Sequence, residues 1–229
     1  VLVGVGTVGS FSLFPSGITV VAVLAGIIAG MVAGAVNGFI VTVLRVNPII
    51  ATLGTLAAFA GIAFLLAPDG KPIGVVGQPS FTWLARGRLF TEWPVPELNG
   101  SRWTGIPVLT MIFVAVAALF HVLMAYTSFG RAIYAIGGNE TAARLAGINL
   151  TRIRVIMYTL SGGVAGLAGV LLAARTTSGN PINGVGLELQ AITAVFLGGA
   201  ATTGGKGTIV GTFLAVLVVG VLNNGMNLL

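Results

Sequence analysis

Long apolar runs separated by short polar breaks dominate this chain. Residues 18–44 form the first run able to span a bilayer, and it ends at Arg45. Because about 20 helical residues suffice to cross, this segment should tilt or project. A second run, 49–66, follows Asn47-Pro48, and proline suits a first helical turn because its missing N–H has no partner there. Runs at 106–126 and 153–174 repeat the pattern, separated by a polar connector over 127–152. Beyond 174 the pattern breaks: a polar, Gly-rich turn over 175–187, a short apolar segment at 188–199 interrupted by Gly198-Gly199, a polar stretch at 202–207, then apolar residues again over 208–222. Short, glycine-broken segments belong where backbone is buried in protein or lines a cavity, since lipid cannot satisfy open backbone groups. The pattern predicts an all-α, polytopic membrane bundle forming a single domain over 1–229. Residues 188–222 read as a short helix, a glycine bend and a returning helix, with a re-entrant hairpin as the alternative.

Small and polar residues within the runs refine this picture. Gly26, Gly30, Gly34 and Gly38 recur every four residues and predict a groove where another helix backbone approaches closely. Gly162, Gly163, Gly166 and Gly169 mark a later run in a similar way. Asn37, Asn47, Thr52, Thr55, Asn223, Asn224 and Asn227 are candidates to line a substrate pathway, able to bond hydroxyl groups without fixing a charge. Each also suits a helix–helix hydrogen bond. Glu188 joins the pathway candidates, because ionisable groups in lipid are costly. It and Arg175 flank one turn, where they could pair or face water.

Composition and charge fix the class and the orientation. Only 7% of residues are charged against 56% hydrophobic, where a soluble domain carries roughly 25% charged residues. The net charge of +6 is concentrated where topology needs it: Arg131, Arg144, Arg152 and Arg154 face only Glu140. That distribution argues against a nucleic-acid surface. The positive-inside rule puts Arg45 and the 127–152 connector in the cytoplasm. The 67–105 stretch then becomes an extracytoplasmic loop; its Lys71, Arg86, Arg88 and Arg102 are nearly balanced by Asp69, Glu92 and Glu97, and it holds Trp83, Trp93 and Trp103. With no cysteine there is neither a disulfide framework nor thiolate chemistry.

Inside the connector, 139–147 reads as a two-turn helix. Asn139 is a favourable N-cap, Glu140 sits at the positive end of the dipole, and Gly147 is a natural stop. Glu140 and Arg144, four apart, share a face. Ala142, Ala143, Leu145 and Ala146 leave the remaining surface small and smooth enough to dock on another protein. A plain solvated turn is the competing reading.

Catalytic constellations are missing from the sequence. Five acids and one histidine, His121 within a span, support neither a metal site nor a nucleophile–base pair. Residues 200–208 imitate a phosphate loop, but Ala200 stands where the first glycine belongs and Gly207 where the hydroxyl belongs. Lys206 reads instead as a cytoplasmic-side anchor.

The run from Gly130 through Glu140, followed by Ala142-Ala143-Arg144-Leu145-Ala146-Gly147-Ile148, closely resembles the permeases of ribose/xylose-type sugar importers of the ATP-binding-cassette class. The resemblance extends through Asn47-Pro48-Ile49-Ile50-Ala51-Thr52-Leu53, Gly186-Leu187-Glu188-Leu189, Leu197-Gly198-Gly199, Gly204-Gly205-Lys206-Gly207 and the 222–229 end. It implies an all-helical subunit of about ten spans, helices being one of the two ways to cross lipid with every backbone group satisfied. The family's first spans, with an Asp-Leu-Ser-type motif, and its last span have no counterpart here, so both terminal portions are expected to be missing. The resemblance also implies a second permease subunit, a cytoplasmic ATPase dimer carrying ATP and Mg, and an extracytoplasmic sugar-binding protein. By the same analogy, Gly138, Asn139, Glu140, Ala143, Arg144 and Gly147 couple to the ATPase, glycine seams let spans slide, and this chain binds no cofactor or metal. A branched-chain amino-acid permease is the alternative within the class; an ion-coupled transporter, relying on Glu188 and His121, lies further off.

Overall fold

The computed structural model describes residues 19–67, 71–74, 79–89 and 105–226. Asn227, Trp93, Trp103, Asp69, Glu92, Glu97 and Arg102 lie outside the described residues. Nine helices are seen among them: α1 (Thr19–Thr42), α2 (Pro48–Leu66), α3 (Pro79–Arg86), α4 (Val108–Tyr126), α5 (Ser128–Gly138), α6 (Glu140–Leu145), α7 (Leu150–Thr176), α8 (Leu187–Leu197) and α9 (Ile209–Met226). Five of these, α1, α2, α4, α7 and α9, are long and apolar enough to cross a membrane. The protein is a polytopic helical membrane protein. At 11 residues, α8 extends only about 16 Å, roughly half the hydrocarbon thickness.

The chain divides into two compact units, Val1–Phe113 with Arg154–Gly184, and Val114–Ile153 with Val185–Leu229. In the first unit, the glycine stripe of α1 packs on α7. A Cβ on Gly30 would run into the Gly162 carbonyl oxygen and lie 2.9 Å from the Gly166 Cα; one on Gly34 would meet the Tyr158 carbonyl oxygen. The fit is reciprocal, since a Cβ on Gly162 would strike the Gly30 carbonyl and one on Gly166 the Gly26 carbonyl. Rising numbers on α1 meet falling numbers on α7, so the helices are antiparallel. Each carbonyl sits in a notch left by a missing side chain, close enough for Cα–H···O attraction to reinforce dispersion. Sliding would drive those oxygens over the side chains between notches, so the seam locks one register. The face away from the seam, Val20, Leu24, Ile28, Val32 and Val36, is exposed and apolar.

The two ends of this unit differ chemically. At one, Gly38 packs on Val155, bringing Arg45 and Arg154 to the same end. At the other, α3 folds back onto the end of α7. Phe81 and Ala85 of α3 are buried against Val170, Ala173 and Ala174, and Arg86 Nη2 donates to the Arg175 carbonyl at 3.3 Å. Two short antiparallel pairings complete that end: β1 (Ile73–Gly74) with β4 (Ser178–Gly179), and β2 (Arg88–Leu89) with β3 (Ile106–Pro107).

The second unit holds most of α4, then α5, α6, α8 and α9. At the α4–α5 corner, the Thr127 hydroxyl donates to the Leu123 carbonyl at 2.6 Å and accepts from the Gly130 N–H at 3.2 Å. A short helix, a glycine bend and a returning helix are all present in 187–226. The α8 and α9 backbones touch where they meet: a Cβ on Gly198 would fall 2.6 Å from the Thr212 Cα. The loop between them needs left-handed backbone at Gly199, Gly204 and Gly205, conformations that other residues adopt only with strain. It closes on itself through Ala201 N–H to the Lys206 carbonyl and Gly204 N–H to the Ala201 carbonyl, each 3.0 Å. The Thr208 hydroxyl then caps α9, accepting from the Gly211 N–H at 3.0 Å.

Candidate functional site

The elbow formed by α5, α6 and the start of α7 is built from local capping chemistry. Asn139 serves two helices. Its N–H donates to the Ala135 carbonyl, closing α5, while its side chain accepts from the Ala142 N–H at 3.0 Å, opening α6. At the far end Gly147 has φ +80°. Its N–H donates to the Arg144 carbonyl at 3.0 Å, and the Ile148 N–H reaches the Ala143 carbonyl at 3.1 Å. That pair of bonds around a left-handed glycine is the Schellman motif. Asn149 then caps α7, accepting from the Arg152 N–H at 3.0 Å. A six-residue helix is far too short to persist alone; here caps at both ends hold it.

Exposure along α6 is lopsided. Ala143 is 4% exposed, whereas Leu145 is 85% exposed, and Glu140, Thr141, Ala142, Arg144 and Ala146 are all exposed. The helix therefore stands as a knob rooted by one alanine. Ala143, placed by sequence among the docking residues, faces inward and roots the helix. Gly138 is exposed, with open space where a Cβ would stand. Beneath the knob, the inner face of α5 rests on the glycine loop. Tyr134 Oη donates to the Gly207 carbonyl at 2.8 Å, and a Cβ on Gly137 would collide with the Gly205 backbone nitrogen. The loop glycines that imitate a phosphate cradle thus serve a backbone-to-backbone contact.

The polar pathway candidates take different local roles. Asn37 and Thr55 come together, the Thr55 hydroxyl donating to Asn37 Oδ1 at 2.7 Å between α1 and α2. Asn47 accepts from the Ile49 N–H at 2.9 Å, capping α2, and the Thr52 hydroxyl bonds the Pro48 carbonyl at 2.9 Å. Glu188 accepts from the Gly186 N–H at 3.0 Å, folding back on the start of its own helix. Asn223 and Asn224 are exposed on the last turns of α9. Thr55→Val should lower thermal stability by about 1 kcal/mol, with little further loss when combined with Asn37→Leu. A transport defect at unchanged melting temperature would instead return the pair to the pathway. Tyr134, Asn149 and the loop contact were not singled out by sequence, although Asn149 precedes Arg152 at the N-cap spacing that Asn139 has to Ala142.

Residues 1–229 match the family described as the permease component of branched-chain amino acid transport systems. The chain belongs to that permease family. Among individual relatives, the ribose import permease protein RbsC of Bacillus subtilis strain 168 is 44% identical over 210 residues, covering 92% of this chain and 61% of the relative. The L-arabinose transport system permease protein AraH of Escherichia coli K12 is 41% identical over 209 residues, 91% of this chain and 59% of the relative. Ribose import permease RbsC of the same strain is 41% identical over 212 residues, 91% and 61%. The chain thus spans about three fifths of the length of these curated relatives. No solved structure matches. The family description names amino acids while these relatives are named for sugars, a difference that bears on the substrate.

Proposed function

We propose that this permease-family chain belongs to the membrane subunit of an ATP-binding-cassette sugar importer in a prokaryotic cytoplasmic membrane. It would pair with a second permease subunit and receive sugar from an extracytoplasmic binding protein. A cytoplasmic ATPase dimer, holding ATP and Mg, would grip α6. Transport is then alternating access, with no covalent step on this chain. The observation that carries the reading is the capped α6 knob, with Leu145 85% exposed and Glu140 and Arg144 exposed on the same short helix. Arg45 and Arg154 mark the cytoplasmic end in this reading, and the α3 end faces outward.

Sugar is favoured over amino acid on chemistry as well as kinship. Helices α1, α2, α4 and α9 hold no Asp, Glu, Lys or Arg, so among the described spans and α8 only Glu188 and the terminal arginines of α7 offer an ammonium or carboxylate a charged partner. Asn and Thr side chains suit hydroxyl groups. The test is uptake by proteoliposomes holding the full-length subunit, its ATPase and its binding protein. Labelled ribose or arabinose should accumulate with ATP, even after proton and sodium gradients are collapsed, and labelled leucine should not. Leucine uptake would overturn the substrate; uptake that follows an ion gradient would overturn the mechanism.

A further inference from the structure

We infer that the glycine loop 199–207 is the mechanical link from the α6 knob to the α8–α9 hairpin, so that elbow and hairpin move as one body. The inference rests on α6 being the ATPase contact and adds the route by which its displacement enters the membrane.

Three contacts in the second unit carry it. First, the end of α5 and the loop touch backbone to backbone: a Cβ on Gly205 would lie 2.8 Å from both the N and the Cα of Gly138. No side chain stands between them to absorb a push by changing rotamer. Second, the Tyr134 hydroxyl ties the same face of α5 to the Gly207 carbonyl at 2.8 Å. Third, the loop cannot simply yield, because its own hydrogen bonds close it at Ala201, Gly204 and Lys206, and the backbones at Gly198 and Gly211 clamp its two ends together. Asn139 adjoins this assembly and is the N-cap of α6. A load on α6 therefore meets a continuous chain of main-chain contacts leading into α9. That helix is 18 residues long, a rod of about 27 Å, with Asn223 and Asn224 at its far end. Tyr134 is a positioning residue in this scheme; it touches no substrate.

The experiment uses the full-length subunit assembled with its ATPase and binding protein. Ala135→Cys and Lys206→Cys place exposed thiols on α5 and on the loop, outside the residues assigned to the ATPase contact and in a stretch without native cysteine. Bridging them with a short thiol-reactive linker should leave sugar uptake within about twofold of the unbridged protein, because a rigid body loses nothing by being stapled. Tyr134→Phe should retain ATPase association and hydrolysis while lowering sugar moved per ATP about fivefold, the scale of one lost hydrogen bond. If bridging stops uptake while hydrolysis continues, elbow and loop must move apart during transport and the inference is overturned. Unchanged sugar-to-ATP stoichiometry in Tyr134→Phe would likewise remove the tyrosine's part. Failure of the wild-type chain to associate with an ATPase is a different result, and it would overturn the reading of α6 itself.

Discussion

Gly162→Leu is expected to abolish the folded state of the first unit. A side chain there would meet the Gly30 carbonyl oxygen and, at 2.8 Å, the Gly34 Cα. Both are main-chain atoms of α1, so no rotamer change relieves the clash and the helices must separate. Overpacking a soluble core costs about 1–3 kcal/mol, occasionally more; the seam lies beyond that range because the obstacle is an entire helix. Parting α1 from α7 also exposes the notches that hold them together, and lipid supplies no hydrophobic drive to close the gap. Gly162→Ala should give an intermediate defect. Gly61→Ala and Gly220→Ala, whose new methyls meet nothing within 4 Å, should behave as wild type. Size-exclusion chromatography in detergent after graded heating would rank the four. A Gly162→Leu protein that stays monodisperse and melts with the wild type would refute the seam.

Leu145→Asp should weaken ATPase association by about 30-fold or more, the effect of losing an interface hot spot. The side chain is 85% exposed, so it contributes little to the fold; melting should shift by no more than about 0.5 kcal/mol. Glu140→Ala/Arg144→Ala should weaken association as well, while Ala143→Leu should act differently, loosening α6 because its position is 4% exposed. Co-elution of the detergent-solubilised subunit with candidate ATPases separates these effects. Association untouched by both Leu145→Asp and the double variant would make α6 a solvated turn. Attention would then move to Glu188 and His121 as ion-coupling groups.

What could be read from sequence was what local chemistry determines. Asn139 and Gly147 were legible as helix ends because a cap acts over three or four residues, and the structure places both as N-cap and C′. The membrane spans were legible because length and hydropathy suffice. Contacts far apart in the chain were not. The stripe from Gly26 to Gly38 announced a close approach, yet neither its partner nor the antiparallel sense follows from spacing. The stretch ahead of Asn139 read as polar connector; that it is a helix whose Tyr134 and Gly137 meet the glycine loop depends on residues about seventy positions away. The inward position of Ala143 was not legible for a related reason: alanine is neutral about which way it faces. Asn and Thr residues stayed ambiguous because one hydroxyl or amide serves a cap, a helix contact or a sugar equally well, and Asn47, Thr52 and Glu188 all bond local backbone.

The seam also limits how this protein can vary. Glycine is the smallest residue the genetic code supplies, so every mutation at Gly30, Gly34, Gly162 or Gly166 adds atoms where the opposing main chain already stands. No conservative neighbour exists through which such a position could drift. Adjustments on α1 would have to accumulate on its outer stripe of Val20, Leu24, Ile28, Val32 and Val36, leaving one helix half frozen and half free to diverge.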